Sequence, residues 1–259
     1  MKLNRKVVWL LTMVLVATIV TSVVALNSGS LNKSTSIQED SKDEMPIADY
    51  SAPKLIDPEE KAKRAAKNKR YDKSSSSPIK EEQGQFVRVW SSHWAKGMPA
   101  MPVEQSDIIV TGEVTEARAY LSNDKTGVYS EFYLRLAEVF KNDDNASLHP
   151  GSMITAQRPG GAVRFPSGQI QKYKTGGQGM PRIGRRYVLF LKRIDESQDF
   201  SIITGYELRD ERVIPLDGKR AGGPRLQFDD YLGFSAPAFL TIVRDTVVRV
   251  TQNSLRGGK

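Results

Sequence analysis

The sequence predicts a mainly β protein, in which an OB-like antiparallel β-barrel carries a C-terminal amphipathic helix. One N-terminal transmembrane or signal helix and a disordered linker are expected to precede the barrel. Residues 7–26 contain no charged or amide side chain, and residues 27–85 are rich in Ser, Lys, Glu, Asp and Pro. Hydrophobic residues then alternate with a period of two through much of residues 86–259, as in half-buried strands. The chain is therefore divided into a cytoplasmic stub at residues 1–6, the apolar segment 7–26, the linker 27–85 and a β-rich domain at 86–259.

Composition excludes several classes of site. The chain has 259 residues, no cysteine and two histidines, His93 and His149. The absence of cysteine rules out disulfides, thiolate zinc sites, iron–sulfur clusters and a cysteine nucleophile. Two histidines cannot form a three-histidine zinc site. We therefore expect no catalytic residues, no metal and no cofactor.

The apolar segment 7–26 is long enough to cross a bilayer, because twenty helical residues span about 30 Å. The basic residues Lys2, Arg5 and Lys6 precede it and are expected to keep the N-terminus in the cytoplasm. This predicts a single-pass anchor with the rest of the chain extracytoplasmic. The alternative is a signal peptide that is cleaved near Ala25 and releases a secreted or periplasmic protein.

The linker contains one helix signal. Asp57 can cap a helix with Pro58 at its first position, acids follow in the first turn, and bases follow to Lys67. We expect a short solvated spacer helix. A second interpretation is a basic segment that contacts anionic lipid heads or wall polymers.

The domain is expected to contain six strands at short spacing, which favours an antiparallel barrel. A glycine at position 112 indicates a bulge or bend in the first strand, and residues 122–127 form the turn of a long hairpin. Ser235 begins an amphipathic helix that covers the sheet. The predicted strands are 107–114, 131–140, 152–157, 187–191, 200–204 and 212–216.

Three segments, Ser106–Val114, Glu138–Lys141 and Gly184–Leu191, resemble the strand order of netrin-like and TIMP-like OB-fold modules. The resemblance covers about 85 residues by inspection of the strand pattern and implies a five-stranded barrel in an extracytoplasmic setting. The cysteines that fix the N-terminus of that family are absent here, so metalloprotease inhibition is not carried over. No functional residue of the family maps onto a matching motif.

The strongest functional signal is a basic, glycine-rich region. Residues 145–194 contain no Asp or Glu and nine Lys or Arg. Two glycine clusters, at 159–161 and 175–179, are expected to let backbone amides face an anion. A solvated basic hairpin is the alternative interpretation. The candidate anion-binding residues are Arg158, Arg164, Lys172, Lys174, Arg182, Arg185 and Arg186.

These patterns predict a membrane-anchored extracytoplasmic binding protein. Its basic face is expected to recognise an anionic glycan, a lipid head group or an envelope protein, and nucleic acid is an unlikely partner in that compartment. The alternative is a metal-dependent hydrolase, or an accessory subunit of an envelope enzyme, that uses Asp229 or Asp230.

Overall fold

The computed structural model describes residues 45–52, 56–73, 76–84, 86–90, 94–142, 147–194, 199–218 and 227–257. The predicted stub, the apolar segment and the start of the linker lie outside these residues. Within the described residues no helix is sufficiently long and apolar to span a bilayer.

The described chain is mainly β. Its elements in order are β1 (Ile47–Asp49), α1 (Pro58–Lys69), β2 (Val87–Trp90), β3 (Ile108–Leu121), β4 (Val128–Asn142), β5 (Met153–Pro159), β6 (Gly161–Arg164), β7 (Ile170–Thr175), β8 (Arg186–Arg193), β9 (Phe200–Arg209), β10 (Arg212–Pro215), a short 3-10 helix (Gln227–Tyr231) and α2 (Ala236–Gly257). All six predicted strands and the C-terminal helix are confirmed, but β3 continues seven residues and β9 five residues past their predicted ends.

The larger sheet has six strands in the order β10-β9-β5-β4-β3-β8, and β8 also pairs with β9. The strand pairings therefore form a closed circuit, in which β3 pairs with β4, β4 with β5, β5 with β9, β9 with β8, and β8 with β3. The sheet is not purely antiparallel as predicted, because β5 runs parallel to β9 at Ala156 and Gln157.

The long hairpin β3–β4 has the predicted irregularity. Its register shifts between Thr111 and Gly112. A Cβ atom at residue 112 would lie 3.0 Å from the carbonyl oxygen of Arg135, so glycine permits the close approach of the two strands.

A second sheet of four strands, in the order β1-β6-β7-β2, was not predicted. Both of its edge strands pair in parallel with their neighbours, β1 with β6 and β2 with β7. These edge strands are short and come from the segment before residue 91, far from β6 and β7 in the sequence. Period-two reasoning is weak for strands of three or four residues.

The larger sheet buries both of its faces. Tyr187, Leu189 and Leu191 of β8 join one apolar cluster with residues of β3, β4, β5 and β9. Val188 and Phe190 point the other way and join a cluster with the buried stripe of α2. That stripe consists of Phe239, Val243 and Val247.

The predicted boundary between linker and domain at residues 85 and 86 is wrong. One compact unit extends over Glu44–Lys259. Within the predicted linker, Ala48 of β1 and Ile79 are buried against the smaller sheet, and α1 binds the larger sheet through ion pairs. The polar composition was misleading because α1 docks with charged side chains and only a few apolar residues, such as Ala48 and Ile79, attach the rest of the segment.

Candidate functional site

The seven candidate anion-binding residues do not form one site. Arg158 lies in β5 of the larger sheet, while Arg164 in β6 and Lys172 and Lys174 in β7 belong to the smaller sheet. The remaining three lie just before β8 or at its first residue; they are Arg182, Arg185 and Arg186. Each group has a different environment.

The prediction that Arg158 binds an external anion is wrong, because its side chain is fully buried and is already paired with a carboxylate of the chain. Its Nη1 and Nη2 atoms donate to the two oxygens of Asp217 at 2.6 and 2.8 Å. The same nitrogens also donate to the backbone oxygens of Gly179 and Ile203. This bidentate pair joins β5 to the segment after β10, so its role is structural.

The glycine clusters are likewise occupied within the fold. The Gly160 amide donates to the Val128 oxygen, and the Gly176 amide donates to the Trp90 oxygen. The Gly179 amide donates to Asp217 Oδ1 at 2.8 Å, so the anion that it meets belongs to the chain itself. The prediction that these amides face an external anion is therefore wrong for these three positions.

The smaller sheet places three of the candidates on its outer face. Lys172 is paired across the sheet with Val87, and Lys174 with Val89. Arg164 is paired with Ile170. Directly paired residues point to the same side of a sheet, so bases and aliphatic side chains share one surface.

We call this surface the basic–aliphatic face. Its aliphatic members are well exposed: Val87 at 54%, Val89 at 58%, Ile170 at 41% and Ile47 at 40% of their full surface. Lys172 and Lys174 are half-buried, and Arg164 is exposed, with Nη1 3.4 Å from Asp49 Oδ1. The members are Ile47, Asp49, Val87, Val89, Arg164, Ile170, Lys172 and Lys174, and Asp49 is the one acid, paired directly with Arg164.

The opposite face of the smaller sheet fixes it to the rest of the protein. Tyr173 and Val163 are buried in a cluster with Ala119 of β3 and Val128 of β4. Burial raises the pKa of Tyr173 to about 12, and its hydroxyl donates to Gln171 Oε1. The basic–aliphatic face is therefore the outer surface of a layer whose inner surface is packed.

The bases near the start of β8 lie beside acids. Arg185 Nε is 3.9 Å from Glu207 Oε1, and Arg209 holds both oxygens of the same carboxylate. Arg186 is exposed and is paired with Glu113 in the register of β3 and β8. These neighbouring acids weaken the case for an anion site there.

Sequence reasoning missed a buried charged cluster beneath α1. Glu131 of β4 is fully buried, and its Oε1 lies 2.7 Å from Arg64 Nη1 and 3.3 Å from Lys67 Nζ. Lys67 Nζ also lies 2.6 Å from Asp199 Oδ2, which accepts from Gln157 Nε2 at 2.7 Å. The signals were an acid in a strand with a tyrosine two positions away on each side, Tyr129 and Tyr133, and two bases three positions apart on the predicted helix.

Aromatic rings surround this cluster. The Tyr71 ring stacks on Tyr129 with centroids 4.0 Å apart, and the Arg64 guanidinium lies 3.6 Å from the Tyr120 ring centroid. Burial raises the pKa of Tyr71 and of Tyr129. Burial opposes the charge on Arg64 and is the largest single influence on its pKa. The hydrogen bond with Glu131, together with attraction by Glu131, Tyr129 and Tyr120, outweighs burial and raises the pKa of Arg64.

The residues proposed for a metal-dependent hydrolase do not form a ligand cluster in the described part of the chain. Asp229 and Asp230 lie in the short 3-10 helix. No group of three or more His, Asp or Glu side chains suited to a metal ion occurs among the described residues.

Comparison with known proteins identifies no relative, since no family model matches the chain and no curated protein sequence matches it significantly.

Proposed function

We propose that this chain is a membrane-anchored, extracytoplasmic binding protein whose basic–aliphatic face binds the anionic surface of a membrane. The observation that carries the proposal is the alternation of Lys172, Lys174 and Arg164 with exposed aliphatic side chains on one sheet face. The groups that this face binds are the phosphates of anionic lipid head groups.

Such a face suits a membrane surface physically. A lysine or arginine close to an anionic bilayer contributes about 1 kcal/mol of electrostatic attraction. Valine and isoleucine side chains gain free energy when they leave water for the boundary between head groups and acyl chains. Lysine can place its ammonium among phosphates while its methylene groups remain beside the aliphatic residues.

The length of chain between the proposed anchor and the folded unit is compatible with this function. If residues 7–26 span the bilayer, seventeen residues, 27–43, separate the anchor from the folded unit. That length can span at most about 60 Å. This connection is much shorter than the linker predicted from the sequence, residues 27–85.

The architecture proposed for the larger sheet is an OB-like barrel. Two observations support it: the pairings among β3, β4, β5, β9 and β8 form a closed circuit, and the contact between β5 and β9 is parallel. The resemblance to netrin-like modules and the extracytoplasmic location remain predictions from the sequence.

The proposal is tested by co-sedimentation of the folded unit, residues 44–259, with vesicles of phosphatidylcholine with or without phosphatidylglycerol. Residues 1–43 are omitted because the apolar segment would itself bind vesicles. We expect binding only to the anionic vesicles, with an affinity that falls as salt is added. Lys172→Ser combined with Lys174→Ser should lower the partition coefficient roughly 30-fold, which corresponds to about 2 kcal/mol.

The matched control is Arg185→Ser combined with Arg186→Ser, because it removes the same charge from a different sheet region. Its expected effect on vesicle binding is small. Equal loss in the two double variants would show that net charge, and not the basic–aliphatic face, drives binding. Binding to a soluble anionic polymer without binding to vesicles would also overturn the proposal.

A further inference from the structure

Helix α1 lies on the larger sheet almost entirely through polar contacts. None of its own residues is buried. It is attached by Arg64 and Lys67 to Glu131 and Asp199, and by a hydrogen bond from the Tyr129 hydroxyl to Asn68 Oδ1. The main ring contact comes from Tyr71, two residues beyond the end of the helix.

The surface beneath α1 is unusual for a protein interior. Glu131 and Gln157 are directly paired between β4 and β5, and both are fully buried. Tyr120 and Tyr129 are paired between β3 and β4, and the Tyr133 hydroxyl donates to Glu131 Oε2. We call this surface the tyrosine–carboxylate face; it consists of Tyr120, Tyr129, Glu131, Tyr133, Gln157 and Asp199.

The contact between helix and face depends on charge complementarity. A buried carboxylate needs a cation or water, and here Arg64 and Lys67 supply the cations. Both bases keep about a fifth of their side-chain surface in solvent, so salt and water can reach the pairs. Because α1 buries no apolar side chain, its replacement by another helix with the same two bases would lose little hydrophobic stabilisation.

We propose that the tyrosine–carboxylate face is a binding surface for a basic helical segment of a partner protein, and that α1 is its intramolecular occupant. The partner segment carries an arginine and a lysine three positions apart, with an aromatic residue four positions after the lysine. This pattern is that of Arg64, Lys67 and Tyr71. A partner helix with apolar side chains beside the two bases binds more tightly than α1, because it adds burial that α1 lacks.

The test uses the full-length chain and a fluorescent peptide with the sequence of residues 57–71, followed by fluorescence anisotropy. In the chain variant Arg64→Ala combined with Lys67→Ala, the resident helix loses its ion pairs and the face becomes accessible. We expect this variant to bind the peptide at least 10-fold more tightly than the wild-type chain, with binding weakened by salt. A peptide that carries the same two substitutions should not bind.

The matched control chain is Lys61→Ala combined with Lys69→Ala, which removes the same charge from exposed positions of α1. It should bind the peptide as weakly as the wild type. Equal peptide affinity for the two double variants, or no binding to either, would overturn the proposal.

A second measurement does not depend on the stability of these variants. With saturating peptide, the α1 amides of the wild-type chain should exchange hydrogen faster, because the peptide displaces the helix. Unchanged exchange at saturating peptide would contradict the proposal. A wild-type dimer that forms by exchange of α1 would also contradict it, because a second copy would then be the occupant.

Discussion

The two sheets use charged side chains in opposite ways. The larger sheet buries Arg158 and Glu131, and each meets opposite charge supplied by the same chain. The smaller sheet carries Arg164, Lys172 and Lys174 on its outer face among exposed aliphatic residues. The difference shows that a base in a strand forms an internal ion pair or stays at the surface according to the layer that covers it.

The largest change in stability is expected from a substitution of Arg158. Arg158→Met leaves Asp217 buried without its cation, so the free energy of unfolding should fall by about 3–5 kcal/mol. Arg186→Met, at an exposed position, should change it by less than about 0.5 kcal/mol. Urea unfolding measures both, and similar stabilities of the two variants would remove the proposed contrast between the sheets.

Alkaline pH tests the burial of the larger sheet. Burial raises the pKa of Tyr129, Tyr187 and Tyr206 above the usual value of 10.0. In the unfolded chain these residues ionise near pH 10, whereas in the folded chain they stay neutral to higher pH. Their contribution to stability is therefore complete below pH 10 and is lost as pH rises through the raised pKa values.

At one pH unit above 10 each such tyrosine favours the unfolded chain by about 1.4 kcal/mol, so the three together contribute on the order of 4 kcal/mol. We expect tyrosinate absorbance from these residues to rise together with loss of circular dichroism. Complete tyrosine ionisation near pH 10 in a chain that remains folded would show that these rings are accessible.

A smaller effect is expected at Glu131. Glu131→Gln removes the anion from Arg64 and Lys67, which are partly exposed and can regain water, so the expected loss of stability is about 1–3 kcal/mol. The comparison variant is Glu113→Gln, whose partner Arg135 lies in an exposed pair, and its expected loss is below about 1 kcal/mol. Thermal unfolding measures the stability of both variants. Equal losses of stability would indicate that α1 does not keep the Glu131 carboxylate buried.

Local sequence patterns predicted the features that depend on neighbouring residues. Alternation located the strands of the larger sheet, Gly112 marked the bulge, and the cap at Ser235 located α2, where the Ala238 amide donates to Ser235 Oγ. The helix α1 was also predicted, with Asp57 as its cap. These features are set by backbone geometry and side-chain periodicity within a few residues.

The features that were missed depend on contacts between distant parts of the chain. Arg158 meets Asp217 across 59 positions, and Arg64 meets Glu131 across 67. Neither pairing changes the local pattern of the sequence. Residues 145–194 carry a net basic charge, but this count could not show which bases lie together. Only three of the seven candidate bases share the basic–aliphatic face.

The most direct test of the central claim compares two surfaces of the molecule in the presence of membranes. The chain has no cysteine, so Val89→Cys and Val248→Cys each give a single labelling site. The two valines are similarly exposed, at 58% and 54%, but Val89 lies on the basic–aliphatic face and Val248 lies on α2. Each variant of the full chain is labelled at its cysteine with an environment-sensitive fluorophore. It is then reconstituted into anionic or into zwitterionic vesicles, and its emission is compared between the two.

We predict that the fluorophore at Val89→Cys shifts to shorter wavelength in anionic vesicles only, while the one at Val248→Cys keeps its emission in both. A shift at residue 248, or no difference between the two lipids at residue 89, would contradict the claim that the basic–aliphatic face lies on an anionic membrane.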